Sequence, residues 1–209
     1  GLTRKRILQT VDHMKAARAT LEGAAATFAR QDVREVLGDL LLSPSVVADM
    51  DVDQNRRVFA AALLWINDQA FRPRFEQLLS IAQAIGKGDT ATLAGCILSI
   101  DKNGEIRITR EAAATFQFDV TEDAQSVIWD GRWSISGPLR KGLTIKALGP
   151  AINECPDWRA SGMPRTSLLA SPSIWEGDTL LAAPLAGLTN GWSAQIVADF
   201  HSSAFAIED

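Results

Sequence analysis

Apolar residues recur at helical spacing along the start of the chain. Positions 7, 14, 21 and 28 hold Ile7, Met14, Leu21 and Phe28, and most of the charged residues between them fall on other faces. Thr3 precedes this stripe and belongs to a residue type that caps helix N-termini. The pattern therefore predicts a long amphipathic helix from Thr3 to about residue 30.

Two further helices are predicted before residue 90. The second begins in an acidic stretch around Asp51 and carries the apolar run 58–66. The third covers 75–85 and ends at the glycines that follow it. The intervening segment 33–42 is ambiguous, because its apolar residues fit a helix, whereas Gly38 weakens that helix and leaves a strand open.

After residue 90 the pattern changes to the short runs that are typical of β-strands. Segments 92–100 and 105–110 flank the turn sequence Asp-Lys-Asn-Gly, and two other runs flank Asp130-Gly131, so both places predict hairpins. Three more strands are predicted, at 143–148, 179–184 and 193–200. The predicted fold class is α+β, with a helical N-terminal part followed by a mixed, mainly antiparallel β-rich part.

Charge and aromatic content change at about the same place as the periodicity. Residues 1–110 carry 15 basic and 13 acidic side chains, whereas residues 111–209 carry 6 basic and 12 acidic ones. One tryptophan, Trp65, lies in the first of these parts and five lie in the second. We therefore predict two domains, a helical substrate-binding domain over 1–90 and a β-rich C-terminal domain over 91–209.

Several kinds of chemistry are poorly supplied by this sequence. Its longest apolar run has nine residues, too few for a membrane helix, so no membrane partner is expected. Cys96 and Cys155 form no CxxC pair, which favours free thiols in the cytoplasm. With only His13 and His201 available, neither a zinc site nor a Ser-His-Asp triad can be assembled. We assign no catalytic residue and no metal ligand, and a free-standing enzyme is disfavoured.

Several arginines lie at predicted turns, and two project from one predicted strand; all of these could contact phosphate groups. A guanidinium group binds phosphate through parallel hydrogen bonds, and such contacts position a nucleic acid without reading its sequence. The alternative for each residue is a surface ion pair. The candidate phosphate contacts are Arg72, Arg74, Arg107, Arg110, Arg132, Arg140 and Lys141. The five tryptophans of the second part could stack on bases, but core packing is the simpler role for most of them.

Short motifs follow one another in a characteristic order. They are RPRFEQLL (72–79), ATLAGC (91–96), ITRE (108–111), WDGRW (129–133) and PSIWEGDTLLAAP (172–184). In this order they resemble the C-terminal region of bacterial tRNA(Ile)-lysidine synthetases, in particular the proteobacterial versions with a shortened C-terminal part. WDGRW and the pattern W-x-G-D-x-L-L-A-x-P are the more specific motifs.

The resemblance implies the tRNA-recognising portion of a larger ligase. The full-length enzymes of that family use ATP, with Mg, to adenylate the wobble cytidine of an isoleucine tRNA with a CAU anticodon, and lysine then displaces AMP to give lysidine. Their chemistry lies in an N-terminal domain with an SGGxDS pyrophosphate loop, which is absent from this sequence. The resemblance therefore implies that this chain alone is inactive and holds no cofactor, that its partner is tRNA(Ile), and that ATP and lysine bind the N-terminal domain.

The net charge of −4 is unusual for a domain that binds RNA over its whole surface. We therefore expect the helical half to contact the tRNA, while the acidic half contacts it by shape or supports the fold. An alternative function is a protein-interaction or dimerisation module without a nucleic-acid role, because the apolar stripe of the first helix could pack on a partner helix. Both functions are compatible with a homodimer.

Overall fold

Helices occupy much of the first third of the chain in the computed structural model, which describes residues 3–68 and 72–205. Together with three antiparallel sheets, they confirm the α+β class. The helices are α1 (Arg4–Asp32), α2 (Ser45–Ala48), α3 (Asp53–Asn67), α4 (Phe75–Gly86), α5 (Arg165–Leu169) and α6 (Phe200–Ser203).

The strands begin at residue 33, within the part that was predicted to be helical. They are β1 (Val33–Val36), β2 (Asp39–Leu42), β3 (Ala91–Leu93), β4 (Cys96–Ile100), β5 (Ile106–Arg110), β6 (Phe118–Asp119), β7 (Ala124–Trp129), β8 (Trp133–Leu139), β9 (Leu143–Ala147), β10 (Pro172–Glu176), β11 (Thr179–Ala182) and β12 (Ser193–Ile196).

These strands form three sheets. The five-stranded sheet has the order β1-β2-β5-β4-β3, the four-stranded sheet β11-β10-β9-β6, and the three-stranded sheet β12-β8-β7. The five-stranded sheet takes strands from both sides of residue 90, because β2 pairs with β5 through Leu40 opposite Ile108. The division into domains at residue 90 stays a prediction.

Helix α1 begins where the sequence predicts. The hydroxyl oxygen of Thr3 accepts a hydrogen bond from the backbone N–H of Arg6 and caps the helix. Its apolar stripe, however, is covered only towards the C-terminal end, where Ala25 and Ala29 are fully buried. Farther towards the N-terminus, Met14 remains 67% exposed. The first half of the stripe is therefore largely exposed.

The ambiguous segment 33–42 forms a hairpin of β1 and β2. Leu37 and Gly38, at its turn, have φ values of 49° and 85°, as a two-residue type I′ turn requires. Every residue of β2 is buried, because Leu40 and Leu42 pack in the cluster beneath α3, while Ser167 of α5 contacts Asp39 on the other face. Four consecutive buried residues give no alternation, which is why the sequence pattern left helix and strand open.

The other predicted hairpins are confirmed, with one difference at segment 92–100. That segment is divided by a tight turn at Ala94 and Gly95, so that Leu93 of β3 lies opposite Cys96 of β4. The hairpin of β7 and β8 turns at Asp130-Gly131 as predicted. The segment predicted as a strand over 193–200 is shorter, because the chain leaves the sheet after Ile196 and enters α6.

Buried apolar residues form three clusters. The first lies between α1, α3, α4 and the five-stranded sheet and includes Phe59 and Leu63. The second joins the three-stranded and four-stranded sheets, and a third packs beneath the short helices after residue 148. Four of the five C-terminal tryptophans are buried, which confirms core packing as their role: Trp129, Trp133, Trp175 and Trp192.

Both cysteines are free and buried. Burial raises the pKa of the Cys96 thiol to about 12, so this group stays protonated and unreactive. Across the described helices, none combines the length and apolar character that crossing a bilayer requires.

Candidate nucleic-acid interface

The WDGRW motif forms the end of the β7–β8 hairpin and connects it to the rest of the chain. Asp130 and Gly131 have φ values of 48° and 63°, the left-handed region of a type I′ turn. A Cβ atom on residue 131 would overlap the carboxylate of Asp68, which follows α3. The turn therefore lies directly against the end of that helix.

A buried ion pair joins this turn to the five-stranded sheet. Arg110 Nε lies 2.8 Å from Asp130 Oδ2 and Arg110 Nη2 lies 3.1 Å from Asp130 Oδ1, so the pair is bidentate. The same guanidinium donates to the carbonyl oxygens of Gly95 and Ala114 at 3.0 and 2.7 Å. The predicted phosphate contact Arg110 is thus fully engaged inside the protein.

Arg132 is also an internal residue. Its Nη1 donates to the carbonyl oxygen of Gly38 at 3.0 Å, and its guanidinium lies 5.1 Å from the ring centroid of Trp65. It is 6% exposed, and burial lowers the pKa of its guanidinium. Its Nε has no acceptor among the described residues. Arg132 thus lies beneath the surface, where it cannot reach a duplex backbone.

Arg107 pairs with a carboxylate at the start of β2. Its Nη1 lies 2.7 Å from Asp39 Oδ2, which also accepts a hydrogen bond from the hydroxyl of Ser167 on α5. This contact ties the five-stranded sheet to the C-terminal part of the chain. The sequence predicted Arg107, Arg110 and Arg132 as phosphate contacts. The structure corrects this prediction, because Asp39, Asp130 and the Gly38 carbonyl bind their guanidinium groups inside the protein.

Arg72 remains at the surface, beside a cavity of about 570 Å³. The cavity lies where α1, α3, the β7–β8 turn and the segment after β12 meet. Four arginines line it, together with Glu22 and Asp68. We call the three arginines that are not buried the arginine cluster: Arg18, Arg57 and Arg72. Trp65, Val197, Ala204 and Phe205 line it as well, and we call them the aromatic patch.

The electrostatics of the arginine cluster favour an anion. Partial burial, and then the positive charge of Arg57, lower the pKa of the Arg72 guanidinium. Arg18 and Arg57 each form an ion pair, with Glu22 and Asp53 respectively. Among the described residues, Arg72 donates a hydrogen bond to the carbonyl oxygen of Arg57, at 3.3 Å, and no carboxylate lies within ion-pair distance of it. Asp53 and Glu22 offset part of this like-charge repulsion, and an anionic ligand would offset more of it.

The remaining predicted contacts lie elsewhere on the surface. Arg74 is exposed and directly precedes α4. Arg140 and Lys141 occupy the turn after β8, at the opposite end of that strand from Arg132. Arg140 forms an exposed ion pair of 2.7 Å with Glu176. The structure thus brings Arg72 to the cavity and leaves Arg140 and Lys141 away from it.

Sequence reasoning did not single out Arg18, Arg57 or Trp65 as site residues. Arg18 looks like one of several charges on an amphipathic helix, and the pattern around Trp65 is that of a core helix. Arg57 carries a weak signal, because a cation near the N-terminus of α3 opposes the helix dipole unless something compensates it. Asp53 supplies part of that compensation, since the hydrogen bond from Arg57 lowers the pKa of its carboxyl.

Comparison with known proteins confirms the resemblance carried by the sequence motifs. This chain is 35% identical over 207 residues to a protein of Ruegeria pomeroyi named tRNA(Ile)-lysidine synthase. The match covers 97% of this chain and 48% of that protein, so the chain spans about half the length of this curated relative. No family model matches the chain. No solved structure matches it either.

Proposed function

We propose that this chain, related along nearly its whole length to a tRNA(Ile)-lysidine synthase, is the tRNA-recognising C-terminal portion of such an enzyme. The complete ligase would use ATP, Mg and lysine to convert the wobble cytidine of tRNA(Ile) to lysidine in the cytoplasm. The reactive centre would lie in a separate domain, and this chain alone would be inactive. Its role would be to hold the tRNA in position for that domain.

The arginine cluster carries this proposal. It collects three guanidinium groups at one cavity, and Arg72 among them has no carboxylate partner in the described part of the chain. Phosphate groups of RNA are anions that match guanidinium groups in charge and geometry. The cluster also lies mainly on α1 and α3, within the half of the sequence that carries net positive charge. Arg74, Arg140 and Lys141 stay in the proposal as separate surface contacts, whereas Arg107 and Arg110 leave it.

Replacing both Arg57 and Arg72 with glutamine should weaken tRNA binding at least about tenfold, because charge-assisted hydrogen bonds contribute about 1.5–3 kcal/mol each. The slope of log affinity against log salt should fall by about 2, one for each lost phosphate contact. Fluorescence anisotropy with an isoleucine tRNA carrying a CAU anticodon, over a range of salt, measures both quantities. In the full-length enzyme, the same double variant should raise the KM for tRNA and leave the KM for ATP unchanged.

A matched control removes the same charge away from the cavity. Arg34 forms an exposed ion pair with Glu105, and Arg159 lies on the ring of Trp158. The Arg34→Gln, Arg159→Gln double variant should bind tRNA with nearly the wild-type affinity. Equal affinities and equal salt slopes for the two double variants would show that the arginine cluster does not contact tRNA.

A second candidate function is a dimerisation module, and the exposed stripe of α1 favours it. Ile7, Val11 and Met14 are 50%, 42% and 67% exposed, and adjacent apolar groups on one helix face are typical of a partner surface. Sedimentation velocity with and without tRNA distinguishes the two functions. The tRNA-binding function predicts a complex that sediments faster than either component, whereas a stable dimer that ignores tRNA would support the module instead.

A further inference from the structure

The cavity beside the arginine cluster is larger and more varied than a phosphate contact requires. A duplex backbone lying across a surface needs exposed cations, and a concave site adds nothing to such contacts. Here the arginine cluster and the aromatic patch line the same cavity, whose volume of about 570 Å³ falls within the range of small-molecule sites. Part of the lining therefore suits an anion, and part suits a flat, largely apolar group.

Neighbouring residues hold Trp65, a member of the aromatic patch, in a fixed position. Its indole N–H donates to the carbonyl oxygen of Ala198 at 3.1 Å, and Phe200 meets its ring edge-on at a centroid distance of 6.0 Å. These contacts fix the ring while the residue remains half-buried in the cavity wall. A fixed aromatic ring loses little conformational entropy when a ligand binds, which favours stacking on it.

Arg132 also holds Trp65 in the same wall. The residue lines the cavity and is more than nine-tenths buried, and its guanidinium lies 5.1 Å from the centroid of the Trp65 ring. A cation placed over an aromatic ring in this way is attracted to it. The guanidinium therefore helps to keep the Trp65 ring in the orientation that lines the cavity.

An unpaired nucleotide carries an anionic phosphate and a flat base, the two groups that the cavity lining suits. Sequence-specific RNA recognition mostly uses unpaired bases, which are splayed out and stacked on aromatic rings or guanidinium planes. A paired base cannot leave its helix to enter a concave site without the cost of unpairing. We propose that this cavity binds one unpaired nucleotide of the RNA, with its phosphate on the arginine cluster and its base on the aromatic patch. The inference rests on the proposed tRNA-binding function and extends it.

The test uses three probes: a short single-stranded RNA with a 5′-phosphate, a blunt RNA duplex, and inorganic phosphate. The single strand should compete with tRNA and quench tryptophan fluorescence, whereas the duplex and inorganic phosphate should leave the fluorescence unchanged. Trp65→Phe should abolish the quenching, because the five remaining tryptophans lie outside the cavity. Quenching that persists in Trp65→Phe would overturn the proposal.

A second variant blocks the aromatic patch without replacing an arginine. Ala204→Phe places a ring inside the cavity and should weaken binding of the single strand about tenfold, in line with the loss of one base–aromatic stack. Ala24→Phe on the exposed side of α1 is the matched control and should have no effect. Thermal unfolding of each variant checks that it folds.

Failure of this proposal differs from failure of the proposed function. If the arginine variants lose tRNA binding and Ala204→Phe binds the single strand as tightly as the wild type, the cluster contacts RNA and the nucleotide subsite is wrong. If the arginine variants bind tRNA normally, the proposed function of the cluster fails as well.

Discussion

Replacing Arg110 with alanine should lower the free energy of unfolding by about 3–5 kcal/mol, the typical cost of removing one partner from a buried ion pair. Asp130 is 4% exposed, and the variant would remove the bidentate partner of its carboxylate. The carbonyl oxygens of Gly95 and Ala114 would each lose a donor as well. Urea denaturation followed by circular dichroism measures the change.

Two further variants separate this effect from a general loss of charge. Arg140→Ala removes an exposed ion pair with Glu176 and should cost no more than about 1 kcal/mol. Combining Arg110→Met with Asp130→Asn removes both charges, keeps a residue type that tolerates the left-handed turn, and should recover most of the stability lost in Arg110→Ala. If Arg110→Ala costs no more than Arg140→Ala, then the pair does not hold the β7–β8 turn to the five-stranded sheet.

Gly38→Ala should destabilise the protein by about 2–4 kcal/mol, because it combines backbone strain with overpacking. The residue has a φ of 85°, which disfavours any side chain. An added Cβ would also overlap Cζ2 of Trp133 and lie 2.8 Å from its Cη2. Trp133 is 5% exposed, so its ring has little room to move away.

Gly88 provides a closely matched control for this substitution. Its φ of 86° is nearly identical, but no atom lies within 4 Å of the position that a Cβ would occupy. Gly88→Ala should therefore cost only the conformational part, about 1 kcal/mol. Chemical denaturation of both variants gives the difference, which isolates the steric contact with Trp133. Equal costs for the two substitutions would contradict a tight fit between the β1–β2 turn and Trp133.

Local sequence patterns predicted much of the secondary structure. Helix α1 and the hairpin at Asp130-Gly131 follow from signals within a few residues of each other, namely a cap, a stripe and a turn pair. The segment 33–42 could not be decided in that way, because burial on both faces of β2 removes the alternation that marks a strand. Its strand character depends on β5, which follows more than 60 residues later.

The candidate site was harder to predict than the fold. Arg107 looks like any charged residue on a strand, yet its partners Asp39 and Ser167 lie on elements far away in sequence. Arg72 was predicted from its place beside Pro73 and does line the cavity, whereas Arg18 and Arg57 reach the cavity only through the packing of α1 on α3. Which arginines are buried and which line the cavity is a tertiary property, so it cannot be read from neighbouring residues of the sequence.

The WDGRW motif now has a physical explanation at each position. Trp129 fills the core between two sheets, and Asp130 pairs with Arg110. Gly131 fits against Asp68, the Arg132 guanidinium lies over the ring of Trp65, and Trp133 packs on Gly38. A motif with this many tertiary contacts connects two parts of the fold. Each of its positions has a different partner and therefore requires a particular residue type.

The cavity is assembled from opposite ends of the chain, since α1 supplies Arg18 and the segment after α6 supplies Phe205. Such a site has no local precursor and can form only once the most distant contacts are made. A nucleotide would bind there to the native state and not to the unfolded one. By mass action, bound RNA would therefore stabilise the folded chain. Protection against proteases and heat would then rise with RNA concentration even where no chemistry takes place.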